Sequence, residues 1–318
     1  MTEKSETLSP IPPTLKTLNA KPPVKFSKQI QHLAEYIALR FVAAWLSLLP
    51  YTQALWIGRA IGRLIGLLLA SRDLIAKNNI LASLPEISEK EADRIVIECW
   101  KNLGEGAAEF VKLPSLSKEE ILAVTDFEGI EPLRQSYATG KGVLMITAHY
   151  GAWELGAKFW PFSGFETAVV ARLVKNPWVN DFVTKIRACE GVKVILSRDA
   201  VRETVRWLKH GKLLALLIDH RVTEGSLKIP FFGRPASTTA LPAILALRYG
   251  VPVHMVHSWR ENGRVKIHVS PALDFSGLKA TESDIAEATL RMNAVVENWI
   301  RERPSAWLWI HNRWKITN

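Results

Sequence analysis

The hydrophobic rhythm of the chain changes twice. Residues 1–29 show no apolar periodicity; Pro10, Pro12, Pro13, Pro22 and Pro23 stand among lysines and polar residues, and the stretch reads as a flexible leader. Two apolar helical stretches occupy residues 30–72. In the first, Leu33, Ile37, Phe41, Ala44, Trp45 and Leu48 share one stripe at helical spacing, with Gln31, Glu35 and Ser47 off it. In the second, Arg59 and Arg63 interrupt the run. The longest charge-free run, 41–58, contains Pro50, and neither stretch offers the roughly 20 apolar residues of a simple span. An amphipathic, in-plane or re-entrant membrane anchor is expected. Two helices buried in a soluble core would show the same pattern.

Beyond residue 72 the periodicity is first helical. Ser88 with Glu91, and Ser117 with Glu120, form capping-box patterns that open helices. From residue 143 short apolar runs alternate with helical patterns. The runs 143–147, 167–171, 192–196, 213–218, 251–257 and 264–269 predict strands. The intervening 152–161, 177–189, 200–209 and 239–249 predict helices, and Thr281 with Asp284 opens a last helix to about residue 302. Repeated strand–helix order predicts an α/β fold, with a mostly parallel central sheet flanked by helices and N-terminal amphipathic or membrane helices ahead of it. The expected organisation is a leader at 1–29, membrane-anchoring helices at 30–72 and one α/β domain at 73–318.

In open α/β sheets ligands gather beyond the carboxyl ends of the strands. This chain places His149 after the first predicted strand, Arg172 after the second, and Asp219 and His220 after the fourth. A base, a cation and a carboxylate meet at one edge if those strands are parallel neighbours. Glu154 follows His149 by five positions; on one continuous helix the two would point about 140° apart, but a histidine in the turn before the helix escapes that objection. The carboxylate could then fix the tautomer of the imidazole while the imidazole removes a proton from a hydroxyl. The plain alternative is a loop histidine satisfied by backbone and a carboxylate at a helix N-terminus. Asp219 could orient Arg172 or His149, or cap a strand end. Gly233, in "PFFGRP", fits a turn at positive φ better than a substrate contact. Arg187 reads mainly as helix surface, with a phosphate contact as the other use.

Charge and composition narrow the class. The 318-residue chain carries a formal charge of +10 and 12 tryptophans. The basic surplus favours anionic partners, and the tryptophans lean towards a lipid interface. The Lys and Arg are spread along the chain, and no helix-turn-helix, RRM or zinc-finger pattern is present, so nucleic acid is not the expected partner. Two cysteines without ligand spacing argue against a metal site and against dependence on disulfides. His254, His257 and His268 read as structural. No G-x-S-x-G elbow is present.

"TAHYGAWELG" carries an H-x4-E motif directly after a strand, the signature of glycerolipid-type acyltransferases. Together with "VARLVKNPWVNDFVTKIRACEG", "LIDHR", "IPFFGRPASTTALPAILALRYGVPV", "RPSAWLWIHNRWK" and the helical "AKNNILASLPEISEKEADRIVIECWKNLGEGAAEF", it resembles the late acyltransferases of lipid A biosynthesis, the lauroyl and myristoyl transferases of Gram-negative inner membranes. The likeness runs from about residue 33 to the end; the leader lies outside it, and His220 stands where Gln or another polar residue is expected. The resemblance implies a thioester donor on acyl carrier protein, a phosphorylated glycolipid acceptor, no cofactor, and work at the cytoplasmic face of the inner membrane. It makes His149 and Glu154 the catalytic pair and puts Arg172, Asp219, Gly233 and Arg187 on the substrate side. Another glycolipid acceptor served by acyl-CoA, or a silent lipid-binding protein of the same fold, are the competing expectations.

Overall fold

The computed structural model describes residues 26–197, 200–222 and 225–315. Most of the expected leader therefore lies outside the described residues, although its last four form the start of a helix. That helix, α1 (Phe26–Leu48), is followed by α2 (Tyr51–Leu68) and α3 (Ala70–Ser83). Among the described residues no single helix is long and apolar enough to cross a membrane; α2 and α3 together meet that measure but bend by 96° at their break. The expected membrane helices are therefore not established, although α1 is amphipathic: the stripe residues Leu33, Ile37, Phe41, Trp45 and Leu48 all face outward, while His32, Ala43 and Leu46 face the protein. Helix α3 runs through residue 72, the position expected to separate anchor from α/β domain.

The long helix α4 (Glu89–Lys112) starts where Ser88 accepts the Glu91 N–H, as its capping pattern predicts. It packs on α2 through glycines four residues apart. Gly58, Gly62 and Gly66 are buried against Trp100, Gly104 and Ala108, and a Cβ built at Gly58 would stand 2.5 Å from the Gly104 carbonyl oxygen. Small residues let the backbones approach, and nothing larger fits. Beside this crossing, Arg59 of α2 bonds Glu105 at 2.9 Å, and Arg260 bonds the fully buried Glu109 at 2.6 Å.

After α5 (Lys118–Ala123) come β1 (Thr125–Glu128), α6 (Ile130–Ala138), β2 (Val143–Thr147), α7 (Trp153–Phe162), β3 (Thr167–Ala171), α8 (Pro177–Arg187), β4 (Lys193–Leu196), α9 (Ala200–Lys209) and β5 (Leu213–Leu217). A hairpin of β6 (Ser226–Phe231) and β7 (Arg234–Thr239) follows, then α10 (Leu241–Tyr249), β8 (Val253–Glu261), β9 (Arg264–Ala272) and α11 (Glu282–Glu302). Seven strands form one sheet in the order β1-β9-β8-β2-β5-β3-β4. All neighbours are parallel except β8 and β9, which turn through Asn262 and Gly263 at positive φ, the Asn-Gly signature of a tight hairpin.

The central strands are buried on both faces, which is why they read as unbroken apolar runs. Leu144, Ile146, Leu214 and Leu216 face a core shared with α4, α10 and α11; Val143, Met145, Leu213 and Ala215 face one shared with α5, α6 and α7. The register pairs Thr147 of β2 with Leu217 of β5. His149 and Asp219 therefore each lie two residues beyond a paired position, at the same height above the sheet.

Candidate active site

The chain leaves β2 through Ala148, His149 and Tyr150, turns at Gly151 and enters α7 at Trp153. Gly151 has φ 59°, and a Cβ there would collide with the Ser258 carbonyl, so only glycine fits. The carboxy-terminal segment holds this loop. Leu308 N–H donates to the His149 carbonyl at 3.2 Å, Gly151 N–H donates to Ala306 at 2.9 Å, and the Tyr150 hydroxyl donates to the Trp299 carbonyl at 2.8 Å. The Trp-rich tail is thus part of the site's framework.

His149 stands in the turn before the helix, as its spacing requires, and of the two carboxylates that could orient it, Glu154 and Asp219, the strand-end Asp219 is the one in contact. Its Nδ1 lies 2.9 Å from Oδ1 of Asp219, and its own backbone N–H donates to Oδ2 at 2.9 Å. Trp307 Nε1–H donates to the same Oδ2 at 2.8 Å. Burial alone would raise the Asp219 carboxyl. The charge of a protonated His149 and the hydrogen bonds from its ring and backbone outweigh burial and hold Asp219 well below the usual carboxylate range. An ionised Asp219 only accepts, so Nδ1 carries the imidazole proton and Nε2 keeps the lone pair.

Glu154 takes a different partner. Its carboxylate grips Arg187 at 2.5 and 3.3 Å, and that guanidinium lies over the Phe110 ring. The pairing of Glu154 with His149 anticipated from H-x4-E is replaced, because the strand-end aspartate reaches the ring nitrogen first. Arg187 is likewise not helix surface: it is part of the cavity wall beside Glu154. Arg172 lies at the rim, with Nη2 donating to the Arg221 carbonyl at 2.7 Å. Gly233 sits in the β6–β7 turn at φ 68°, after Phe232 at φ 50°, and is not among the residues lining the cavity.

That cavity has a volume of about 520 Å³, within the range of small-molecule sites. Met145, Val169 and Ala215 line it from one face of the sheet, Leu216, Leu241 and Ile244 from the other, and His149 stands between them. His220, whose identity departs from the expected pattern, also lines it. Its ring lies flat on His149, centroids 3.6 Å apart and planes within 5°. His149, Asp219 and His220 bring ligand-type atoms within 4.8 Å of one another. The two rings are parallel, however, so their in-plane lone pairs do not converge, and the Asp219 oxygens already serve three N–H donors; the trio does not fit a metal ion. The sequence places His220 at a strand end without a role and Trp307 only within a Trp-rich tail; the stacking of the one on His149 and the hydrogen bond of the other to Asp219 come from the fold.

A strand-end histidine paired with a buried carboxylate thus lines an apolar cavity, and similarity to known proteins gives the class of protein that carries it. Residues 24–316 match the family described as bacterial lipid A biosynthesis acyltransferase. The chain belongs to that family and is an acyltransferase. It is 24% identical over 302 residues to the lipid A biosynthesis palmitoleoyltransferase of Escherichia coli (strain K12), covering 92% of this chain and 96% of that one. It is 26% identical over 303 residues to the lipid A biosynthesis lauroyltransferase of the same strain, covering 92% and 95%. A phosphatidylinositol mannoside acyltransferase of Mycolicibacterium smegmatis matches at 24% over 212 residues, covering 65% and 67%.

Proposed function

We propose that this chain moves a fatty acyl group from an acyl carrier protein thioester to a hydroxyl of a lipid A precursor, with His149 as general base. The observation that carries the reading is the Asp219–His149 hydrogen bond of 2.9 Å at the wall of an apolar cavity. Nε2 takes the hydroxyl proton as the oxygen attacks the thioester carbon. The resulting tetrahedral oxyanion collapses, the C–S bond breaks, and the imidazolium returns its proton to the leaving thiolate. Asp219 steadies the imidazolium formed in between. Positioned base catalysis of this kind supplies roughly 10²–10⁴ in rate. The direct route needs no covalent acyl-enzyme.

Glu154 remains in the machinery through Arg187, which it holds in the cavity wall. Arg172 at the rim meets a phosphate or the developing oxyanion. Gly233 shapes the hairpin that borders α11. The outward stripe of α1, with Trp56, Leu67 and Leu68 of α2 at 71%, 70% and 75% exposure, supports an anchor lying in the cytoplasmic face of the inner membrane. On this reading residues 30–72 are the anchor, 1–29 a leader and 73–318 the catalytic domain. The basic surplus suits acidic carrier protein and phosphorylated acceptor alike.

The test is reconstitution. Purified protein, acyl-acyl carrier protein and a tetraacylated, phosphorylated lipid A precursor should give a product heavier by one acyl group in mass spectra. No product with this donor and acceptor overturns the reading. The mycobacterial relative favours one alternative, transfer to a mannolipid, and product formed only from acyl-CoA and that acceptor selects it.

A further inference from the structure

Three imidazoles stand in a column beside the cavity. His149 and His220 are stacked at 3.6 Å and 5°, and His220 and His311 at 4.0 Å and 9°. They come from the β2–α7 loop, the end of β5 and the carboxy-terminal segment, so three parts of the chain converge to build it. His220 Nε2 and His311 Nδ1 are buried and have no hydrogen-bond partner. Buried polar atoms without partners are costly, so hydrogen bonding through these two nitrogens does not account for histidine at these places. What both side chains present is a flat aromatic face.

One bond from Asp219 fixes a nitrogen of His149, and Trp153 meets the ring at 63° with centroids 5.4 Å apart. The parallel His220 plate covers the flat of the ring and limits its tilt. When His149 takes a proton, the same face meets a cation, and a neutral π system attracts a cation held over it by about 0.5–2 kcal/mol. We propose that His220 is a positioning residue: a neutral aromatic plate, backed by His311, that sets the plane of the His149 ring and stabilises its imidazolium. The proposal rests on His149 acting as the base.

The plate has to stay neutral while His149 cycles. Burial, then the nearby charge of His149, lowers His220 to about 3, against the pull of Asp219. Burial likewise lowers His311 to about 4. The charged groups bearing on the column are Asp219 after β5, Arg172 after β3 and Arg313 in the tail, with Glu154 and Arg187 along the same cavity.

The experiment compares His220→Phe, His220→Leu and the native protein in steady-state acyl transfer across pH 5–9, with thermal melts as the fold control. Phe keeps the plate; Leu keeps bulk without it. His220→Leu should lower kcat about 10-fold with KM within about twofold, and move the acid limb of the kcat/KM profile to lower pH by roughly 0.5 unit or more. His220→Phe should restore both. His220→Gln, whose amide is also flat, should fall between them. If Leu does not fold, His220→Met serves as the non-planar variant. Native behaviour from Leu or Met overturns the proposal, and so does equal loss in Phe and Leu with melts intact, which would assign the role to a ring nitrogen. Failure of the underlying reading looks different, because His149→Ala would then retain transfer whatever stands at 220.

Discussion

Asp219→Asn isolates the electrostatic half of the site. The carboxylate serves three donors: Oδ2 takes the His149 backbone N–H and Trp307 Nε1–H, and Oδ1 takes His149 Nδ1 at 2.9 Å. An amide has one acceptor oxygen. Two donors claim the Oδ2 place, so the amide oxygen settles there and the NH₂ group faces Nδ1. Two N–H donors cannot share that contact, so the imidazole shifts its proton to Nε2. The lone pair that would take the substrate proton is then buried against Asn, and the negative charge that steadied the imidazolium is gone. The loss should approach the whole base contribution, about 10³–10⁴ in kcat or about 4–5.5 kcal/mol. Steady-state kcat on the reconstituted substrates measures it, and ¹⁵N spectra of the His149 ring read the tautomer. A kcat within tenfold of native, with the ring unchanged, refutes the reasoning.

Glu154→Gln tests the competing partner: it weakens a charge-assisted bond to Arg187 without touching His149, so kcat should fall only about tenfold. A loss matching Asp219→Asn would return the imidazole-orienting role to residue 154. Gly104→Val should lower stability by about 3 kcal/mol in a thermal or urea melt, because its side chain enters the backbone of Gly58 and Gly62; an unchanged midpoint contradicts the close crossing. Acid should destabilise the fold early. Burial holds His220 and His257 each at about 3, whereas the unfolded chain takes up those protons near pH 6.5. Stability then falls as pH drops through that value, by about 1.4 kcal/mol per group at pH 5.5. Asp219 has the depressed-carboxylate sign and adds its loss only below about pH 4, outside this window. Melts that stay level from pH 7.5 to 5.5 contradict the neutral burial of these rings.

The strands between 143 and 257 were legible because a parallel strand covered on both faces has to be apolar throughout. β1 was not: Thr125-Asp-Phe-Glu128 is an edge strand with one apolar residue, and its partner β9 lies far along the chain. The β6–β7 hairpin hid behind Pro230 and Pro235, which face each other across it, since prolines argue against strand. The helix starts at Ser88, Ser117 and Thr281 were readable because a cap is a local hydrogen bond. The carboxylate partner of His149 was only half legible, with Glu154 and Asp219 both candidates. Glu154 is near in sequence, whereas Asp219, 70 residues away, comes within reach only through the β2–β5 register. Trp307 is 88 residues from Asp219, and no spacing rule foretells its contact.

The most direct measurement is single-turnover acyl transfer by His149→Ala, with a melt to establish that the variant folds. Transfer should drop by about 10²–10⁴, towards the background without enzyme, while binding of the acyl donor persists. Folded variant protein that still transfers the acyl group within tenfold of the native rate would contradict His149 as the base.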